Sequence, residues 1–476
     1  MRTIFLMTLL LYSSVGFAQA STKNDIITQI DTKADQYGEI AHTIWTYAEM
    51  GYKEEKSADL LQKTLKNEGF SVETGVAGMP TAFVATYGKG TPIIAVLGEY
   101  DALPGLSQKA VAHKESLGAV AGHACGHHLF GTASAAAAIA MKNYLKETGK
   151  SGTIKFYGCP AEEGGSGKVY LTREGMFDGV DVALNWHPGN KNAANPGAAL
   201  ANKSAKFRFY GVSSHAASAP EKGRSALDAV EAMDYMVNMM REHVPMESRI
   251  HYVITSGGKA PNVVPDFAEV YYYARHPERD VVINIFDRIV EAAKGAAMGT
   301  GTTMKYEMIG GTHELLPNLT LQKLMYDNLT KIGGYTYTAE ERAFAEEISK
   351  TLDEPLNVTN VEGVEAYDPN AKPGGSTDVG DVSFTIPTVG MSAATWVPGT
   401  SAHSWQAVAA GGMSIGEKGM MIAAKTIAAT GIDLINDPSI IATAKKEFEK
   451  ARGDDFEYIP LLGDRAPALD YRDGVE

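Results

Sequence analysis

The sequence predicts an α/β fold: a main α/β domain with a mixed sheet flanked by helices, plus an inserted ferredoxin-like α+β domain. Three observations predict it. Apolar runs suited to buried strands at 92–97, 153–157 and 180–185 each lead straight into polar residues, and open α/β sheets gather ligands beyond the C-terminal ends of their strands. The alanine-rich stretch 131–145 reads as a buried helix between the first two. From residue 201 the order becomes strand–helix–strand–strand–helix–strand, the split ferredoxin-like unit. A chain of 476 residues has room for two or three such domains.

Taken in order, the chain opens with Met1-Arg2, an apolar run from Ile4 to Leu11, and Ala18-Gln19-Ala20, which fits an A-x-A cleavage site. Residues 1–20 therefore read as a secretory signal, with the mature chain periplasmic or secreted. The run is too short to span a bilayer, and no later segment reads as a membrane span. Ile26, Ile30 and Ala34, then Ile40, Ile44 and Tyr47, recur at helical spacing, and 57–66 is a second amphipathic helix stopped by Gly69. Strands follow at 70–74 and 81–87, with Gly88-Lys89-Gly90 turning the chain into the first buried run. In the insert, strands are expected at 203–210, 249–255, 268–275 and 302–309, with helices at 224–241 and 281–297. Beyond it come a helix at 319–332, a polar region at 340–381, a strand at 386–391, and helices at 416–430 and 445–452. The domains are thus 1–20 (signal), 21–200, 201–313 (the insert) and 314–476, with the second and last forming one catalytic domain.

Composition narrows the function. Apolar residues make up 44 % and charged ones 21 %, ordinary for a soluble globular protein, and the net charge of −14 lacks the basic balance of a nucleic-acid binder. There is no P-loop, no G-x-G-x-x-G at a strand–helix junction and no G-x-S-x-G nucleophile elbow. The stretch His123-Ala124-Cys125-Gly126-His127-His128 concentrates three histidines and one of two cysteines. Cys125 and His127 suit zinc or a similar divalent ion; the plainer reading is a buried thiol beside a hydrogen-bonded histidine. In an exported chain a Cys125–Cys159 disulfide competes with that use. Glu162 and Glu163 are adjacent acids after a strand. In extended chain they would point opposite ways, one to a metal and one to water as a general base; solvated surface acids are the plainer reading. His187, His215 and His403 are each unremarkable alone, and Gly374-Gly375-Ser376-Thr377-Asp378 is a substrate-facing loop or only a turn.

Together, Asp101-Ala102-Leu103-Pro104, Cys125-Gly126-His127, Ala161-Glu162-Glu163, Trp186-His187-Pro188, Ser214-His215-Ala216-Ala217 and His403 resemble the aminoacylase and glutamate-carboxypeptidase metallopeptidases, peptidase family M20, in its amidohydrolase branch. Segments 98–105 and 219–226 are similar to the aminobenzoyl-glutamate hydrolase type within that branch. The resemblance implies that Cys125, His127, Glu163, His187 and His403 hold two divalent metals, zinc or manganese, with cobalt also compatible. It implies Glu162 as general base and Asp101 as the group orienting a ligand. It further implies a homodimer through the insert, with His215 stabilising the oxyanion in the partner's site, and Asn262 and Arg275 contacting the substrate carboxylate. His128 departs from the Asp or Asn common at its position. The function expected is a secreted metal-dependent amidohydrolase acting on an N-acyl amino acid, an aminobenzoyl-glutamate-like compound or a dipeptide. Two competing readings are a non-catalytic metal- or small-ligand-binding protein on the same scaffold, and a Cys125 thiol hydrolase.

Overall fold

A computed structural model describes residues 22–474 except 198, 372 and 373. The expected leader at 1–20 lies outside the described residues. The first sheet has six strands: β1 (Ser71–Thr74), β2 (Phe83–Lys89), β3 (Ile93–Glu99), β4 (Gly152–Cys159), β5 (Val182–Leu184) and, from late in the chain, Thr388–Val389. They lie in the order β1-β2-β4-β3-β5 followed by Thr388–Val389. The last four are parallel, while β1 and β2 add antiparallel on one edge, so the sheet is mixed.

Period-two burial explains the near-continuous apolar runs. Ile94 and Val96 of β3 enter one core with Ile154, Phe156 and Leu184, while Ala95 and Leu97 enter the opposite one with Tyr157 and Ala183. The first core is covered by helices α1 (Ala34–Tyr47), α2 (Glu55–Asn67), α3 (His127–Thr148) and the late helix Ser414–Asn436. Helix α3 approaches β3 closely at Gly131: a Cβ there would stand 2.6 Å from the Glu99 carbonyl oxygen. That contact sets the first turn of α3, with His127, beside the end of β3.

The second sheet is built from β6 (Ala201–Tyr210), β7 (Arg249–Ser256), β8 (Phe267–His276) and β9 (Thr303–Thr312), in the order β7-β8-β6-β9, all antiparallel. Helices α4 (Ala226–Met240) and α5 (Arg279–Thr300) cover one face around Phe207, Val230, Tyr272 and Phe286. This is the ferredoxin-like arrangement, with its own core. Boundaries differ from the sequence reading by a few residues: β6 and β9 run two to three residues further toward the first sheet, because cross-strand pairing persists there beyond the apolar pattern. The strand expected at 386–391 is two short pieces, Thr388–Val389 on β5 and Ser392–Ala394 paired with His187–Gly189.

In this second core, burial pushes the Asp234 carboxyl up to about 6, with Glu231 adding to the rise and the Tyr272 hydroxyl, which donates to it, opposing. An unfolded aspartate titrates near ~3.9. The folded state therefore holds a proton that the unfolded state has released between those values, so this group's stabilising effect falls as pH rises through that window and is level above it. Asp234→Asn, which keeps an acceptor for Tyr272, should gain thermal stability relative to wild type as pH is raised from 4 to 7. A Tm difference flat with pH would refute the assignment.

Candidate metal centre

Four chain segments converge beyond the C-terminal ends of the parallel strands. β3 ends at Glu99 and delivers Asp101; β4 ends at Cys159 and delivers Glu162 and Glu163; β5 leads to His187; and Cys125 and His127 flank Gly126 at the start of α3. His403 comes from a late loop at φ 60°, and its backbone N–H donates to the Ala124 carbonyl at 3.0 Å. The extended geometry expected for Glu162–Glu163 is not what forms. Ala161 takes φ 56°, and Gly165 N–H returns to the Ala161 carbonyl at 2.9 Å, closing a tight turn. Gly164 and Gly165 follow the acids closely enough to fold the chain back, so the two carboxylates are separated by a turn instead of by strand alternation.

Ligand atoms of Cys125, His127 and His187 lie within 4.8 Å of one another, as do those of Cys125, Glu163 and His403. The two triads share Cys125. A third group, Glu99, His127 and Glu162, meets the same limit. His127 Nδ1–H donates to Asp101 Oδ1 at 2.7 Å and turns Nε2 inward toward Glu99. Burial alone would lower this imidazole, but Cys125, Glu99 and Asp101 outweigh it and push it well above its usual range, so a metal ion would bind Nε2 in exchange for a proton. His187 Nδ1–H donates to the Pro188 carbonyl at 2.7 Å, and its Nε2 stands 3.5 Å from Cys125 Sγ. Asp101 Oδ2 accepts the Glu163 N–H at 2.9 Å. Buried His127 Nε2 and Glu163 Oε1 have no hydrogen-bond partner among the described residues. Each sits 3.1 Å from an opposing group, Glu99 Oε2 and His403 Nε2 respectively, without hydrogen-bond alignment. Atoms that converge unbonded in this way fit a divalent ion between them.

Charge supports the same fit. Burial, then Glu99, Glu163 and Asp378, push Glu162 well above the usual carboxylate range. Burial lowers His187 to about 4, keeping it a neutral donor. Burial also pushes the Cys125 thiol far up, a tendency that metal coordination reverses. Burial alone would raise Asp101, but the charge and hydrogen bond of His127 outweigh it and hold it below the usual value. Sequence reasoning missed two buried groups that shape this acid-rich pocket, one by opposing its charge and one by hydrogen bonding. Lys168 is fully buried and pairs with Glu99 at 2.6 Å and Asp378 at 2.7 Å. Glu54, also buried, accepts the Ala161 N–H at 2.8 Å and a Thr81 hydroxyl bond at 2.9 Å, holding the start of the Glu162–Glu163 turn. A lysine inside an apolar helix, Gly167–Arg173, was the available signal for the first; nothing local marked the second.

Other expected residues fall differently. Arg275 lines the cavity of about 980 Å³ that opens over the centre, as do Ser376 and Thr377 of the glycine-rich loop. His215 and Asn262 do not join it within one chain. They lie exposed and adjacent, the Ala216 N–H donating to the Asn262 carbonyl at 3.0 Å and a bridge joining His215 to Val263. His123 and His128 are structural: their Nε2 atoms meet the carbonyls of Ile44 and Gly411, each at 3.0 Å. Both cysteines are free thiols, so the competing Cys125–Cys159 disulfide does not form.

Comparison with known proteins agrees with this architecture. The profile of peptidase family M20/M25/M40 matches residues 95–429. The chain is 41 % identical to one of the subunits of p-aminobenzoyl-glutamate hydrolase from Escherichia coli, over 92 % of this chain and 97 % of that protein. It is 30 % identical to the Xaa-Arg dipeptidase of Mus musculus, over 88 % and 90 %. Among solved structures, the Bacillus subtilis YXEP protein, described as a dinuclear metal binding peptidase, superposes with a TM-score of 0.57 at 14 % identity, covering 85 % of this chain and 99 % of that one. The strand-end cluster, the mixed sheet and these matches converge: the chain belongs to peptidase family M20/M25/M40.

Proposed function

We propose that the chain is a secreted, co-catalytic two-metal amidohydrolase that cleaves an N-acyl amino acid, an aminobenzoyl-glutamate-like compound or a dipeptide. The observation that carries this reading is the pair of ligand triads sharing Cys125, with Glu162 beside them. Two divalent ions, zinc or manganese by donor type with cobalt also compatible, would lower the pKa of water and polarise the scissile carbonyl. Cys125 would serve both positions, His127 and His187 one, Glu163 and His403 the other. With a metal ion bound, Asp101 would hold the His127 ring so that Nε2 faces the ion. Glu162 would take the proton from water and pass it to the leaving amine. The names of the E. coli and mouse relatives support this substrate range.

The exposed His215 and Asn262 point to completion by a second copy. β7 is an edge strand whose Val253 is 56 % exposed, and Tyr235 and Met239 on α4 are more than half exposed. An apolar edge of this kind calls for a partner. A homodimer through this unit would bring His215 to the neighbouring cavity as an oxyanion donor. Because the E. coli relative is named as part of a multi-subunit hydrolase, an unlike partner is the alternative outcome of the test. Export rests on the leader alone, residues 1–20.

Glu162→Ala should cut turnover by about 10²–10⁴-fold with metal content unchanged, whereas chelation should abolish turnover until a divalent ion is restored. Retention of most activity in the variant would discard Glu162 as the base. His215→Ala should slow hydrolysis without stripping metal, and mixing it with Glu162→Ala should restore activity through hybrid dimers. Fully exchanged hybrids with no recovery would exclude shared sites. Mass spectrometry of the exported protein should find Ser21 first, and an intact Met1 on exported protein would remove the cleavage assignment.

A further inference from the structure

Residues 456–474 run back over both sheet units and into the cavity. The Tyr458 hydroxyl donates to Asp381 at 2.8 Å, the Ile459 carbonyl faces His313 Nε2 at 3.0 Å, and Leu461 and Leu462 are buried. Arg465 donates to the Met308 carbonyl and, at 2.9 Å, to the Ile309 carbonyl of β9. Tyr471 then lies so close to the N-terminal loop that a Cβ on Gly51 would stand 2.2 Å from its hydroxyl. That hydroxyl and Arg472 Nη2 both donate to the Glu163 carbonyl, at 3.1 and 2.5 Å. Arg465, Asp470, Tyr471 and Arg472 line the cavity.

We infer that this segment is a working wall of the substrate cavity, in which Arg472 binds the side-chain carboxylate of an acidic amino-acid half while Arg275 takes the α-carboxylate. The inference deepens the hydrolase reading above and rests on it. Two of the acids lining the cavity are already matched, Glu307 by Arg208 at 2.8 Å and Asp473 by Lys53 at 3.0 Å. Arg275 and Arg472 form no ion pair among the described residues, and Nε of each is buried without a hydrogen-bond partner there. Asp470 also lines the cavity without an ion pair, whereas Arg465 and Lys206 face Glu307 at 3.5 Å and Glu269 at 3.8 Å, so among the described residues Arg275 and Arg472 are the lining arginines left without a carboxylate. Each guanidinium is oriented by a ring, Arg275 over Tyr273 at 5.3 Å and Arg472 over Tyr471 at 4.6 Å. A buried guanidinium N–H without an acceptor is costly, and a planar fork held by stacking is shaped for a carboxylate.

The test uses the full-length metal-loaded enzyme with N-benzoylglutamate and N-benzoylglutamine, its isostere with an uncharged side chain and the same α-carboxylate. Wild type should prefer the glutamate compound. Arg472→Gln should lower that preference by about 10- to 100-fold, mainly through KM, as expected for one charge-assisted contact, and Arg472→Lys should recover part of it. Tyr471→Phe, which removes only the other donor to the Glu163 carbonyl, should slow both substrates alike. Equal losses for both substrates in Arg472→Gln would overturn the inference and leave Arg472 a support for the turn. Metal content and Tm check that each variant is folded. If wild type hydrolyses no acyl amino acid, the hydrolase reading fails; calorimetric binding of N-benzoylglutamate, lost in Arg472→Gln if the inference holds and retained if it does not, still decides the arginine.

Discussion

One buried carboxylate sets the geometry of the centre. Asp101 accepts from the His127 ring with one oxygen and from the Glu163 backbone with the other. A single side chain thereby fixes an imidazole on one segment and a tight turn on another. Its burial is tolerable only because both oxygens are satisfied by donors, one of them able to carry charge. Everything further out serves to keep that carboxylate in place: the apolar run of β3 beneath it, the close approach at Gly131, and Glu54 gripping the Ala161 N–H at the start of the same turn.

Around that carboxylate, acid is in surplus in a dry place. Glu99, Asp101, Glu162, Glu163 and Asp378 crowd around His127, and Lys168 is the buried lysine that answers them. Burial disfavours each charge, and mutual repulsion disfavours them jointly. An arrangement of this kind carries a standing demand for cation. The same demand explains why Lys168 sits in an otherwise apolar helix, bonded to two carboxylates from different strand and loop ends instead of reaching for solvent.

Most of the fold was legible because it rests on period. Apolar runs marked the parallel strands, helical spacing marked the covering helices, and the order of elements marked the second sheet. The centre was legible to the extent that its ligands sit at strand ends and in recognisable short segments. What escaped depends on long-range contact. Glu54 and the 456–474 segment carry no local signature, and Lys168 carries only its place among apolar neighbours, since a buried charge or an arginine with a free Nε is defined by what stands opposite it. The turn at Glu162–Glu163 departs from the expected extended chain because the positive φ of Ala161 is imposed by Glu54 and Gly165, not by alanine's own preference.

The Glu163 carbonyl is held by donors 308 and 309 positions away. Loops closed over such separations form late in folding, since their entropic cost is repaid only after the intervening chain has settled. Helical hydrogen bonds close within a single turn, whereas this brace needs two segments far apart in the sequence to be in place at once. The position of the two acids in this protein is therefore a property of the completed molecule and not of the segment that carries them.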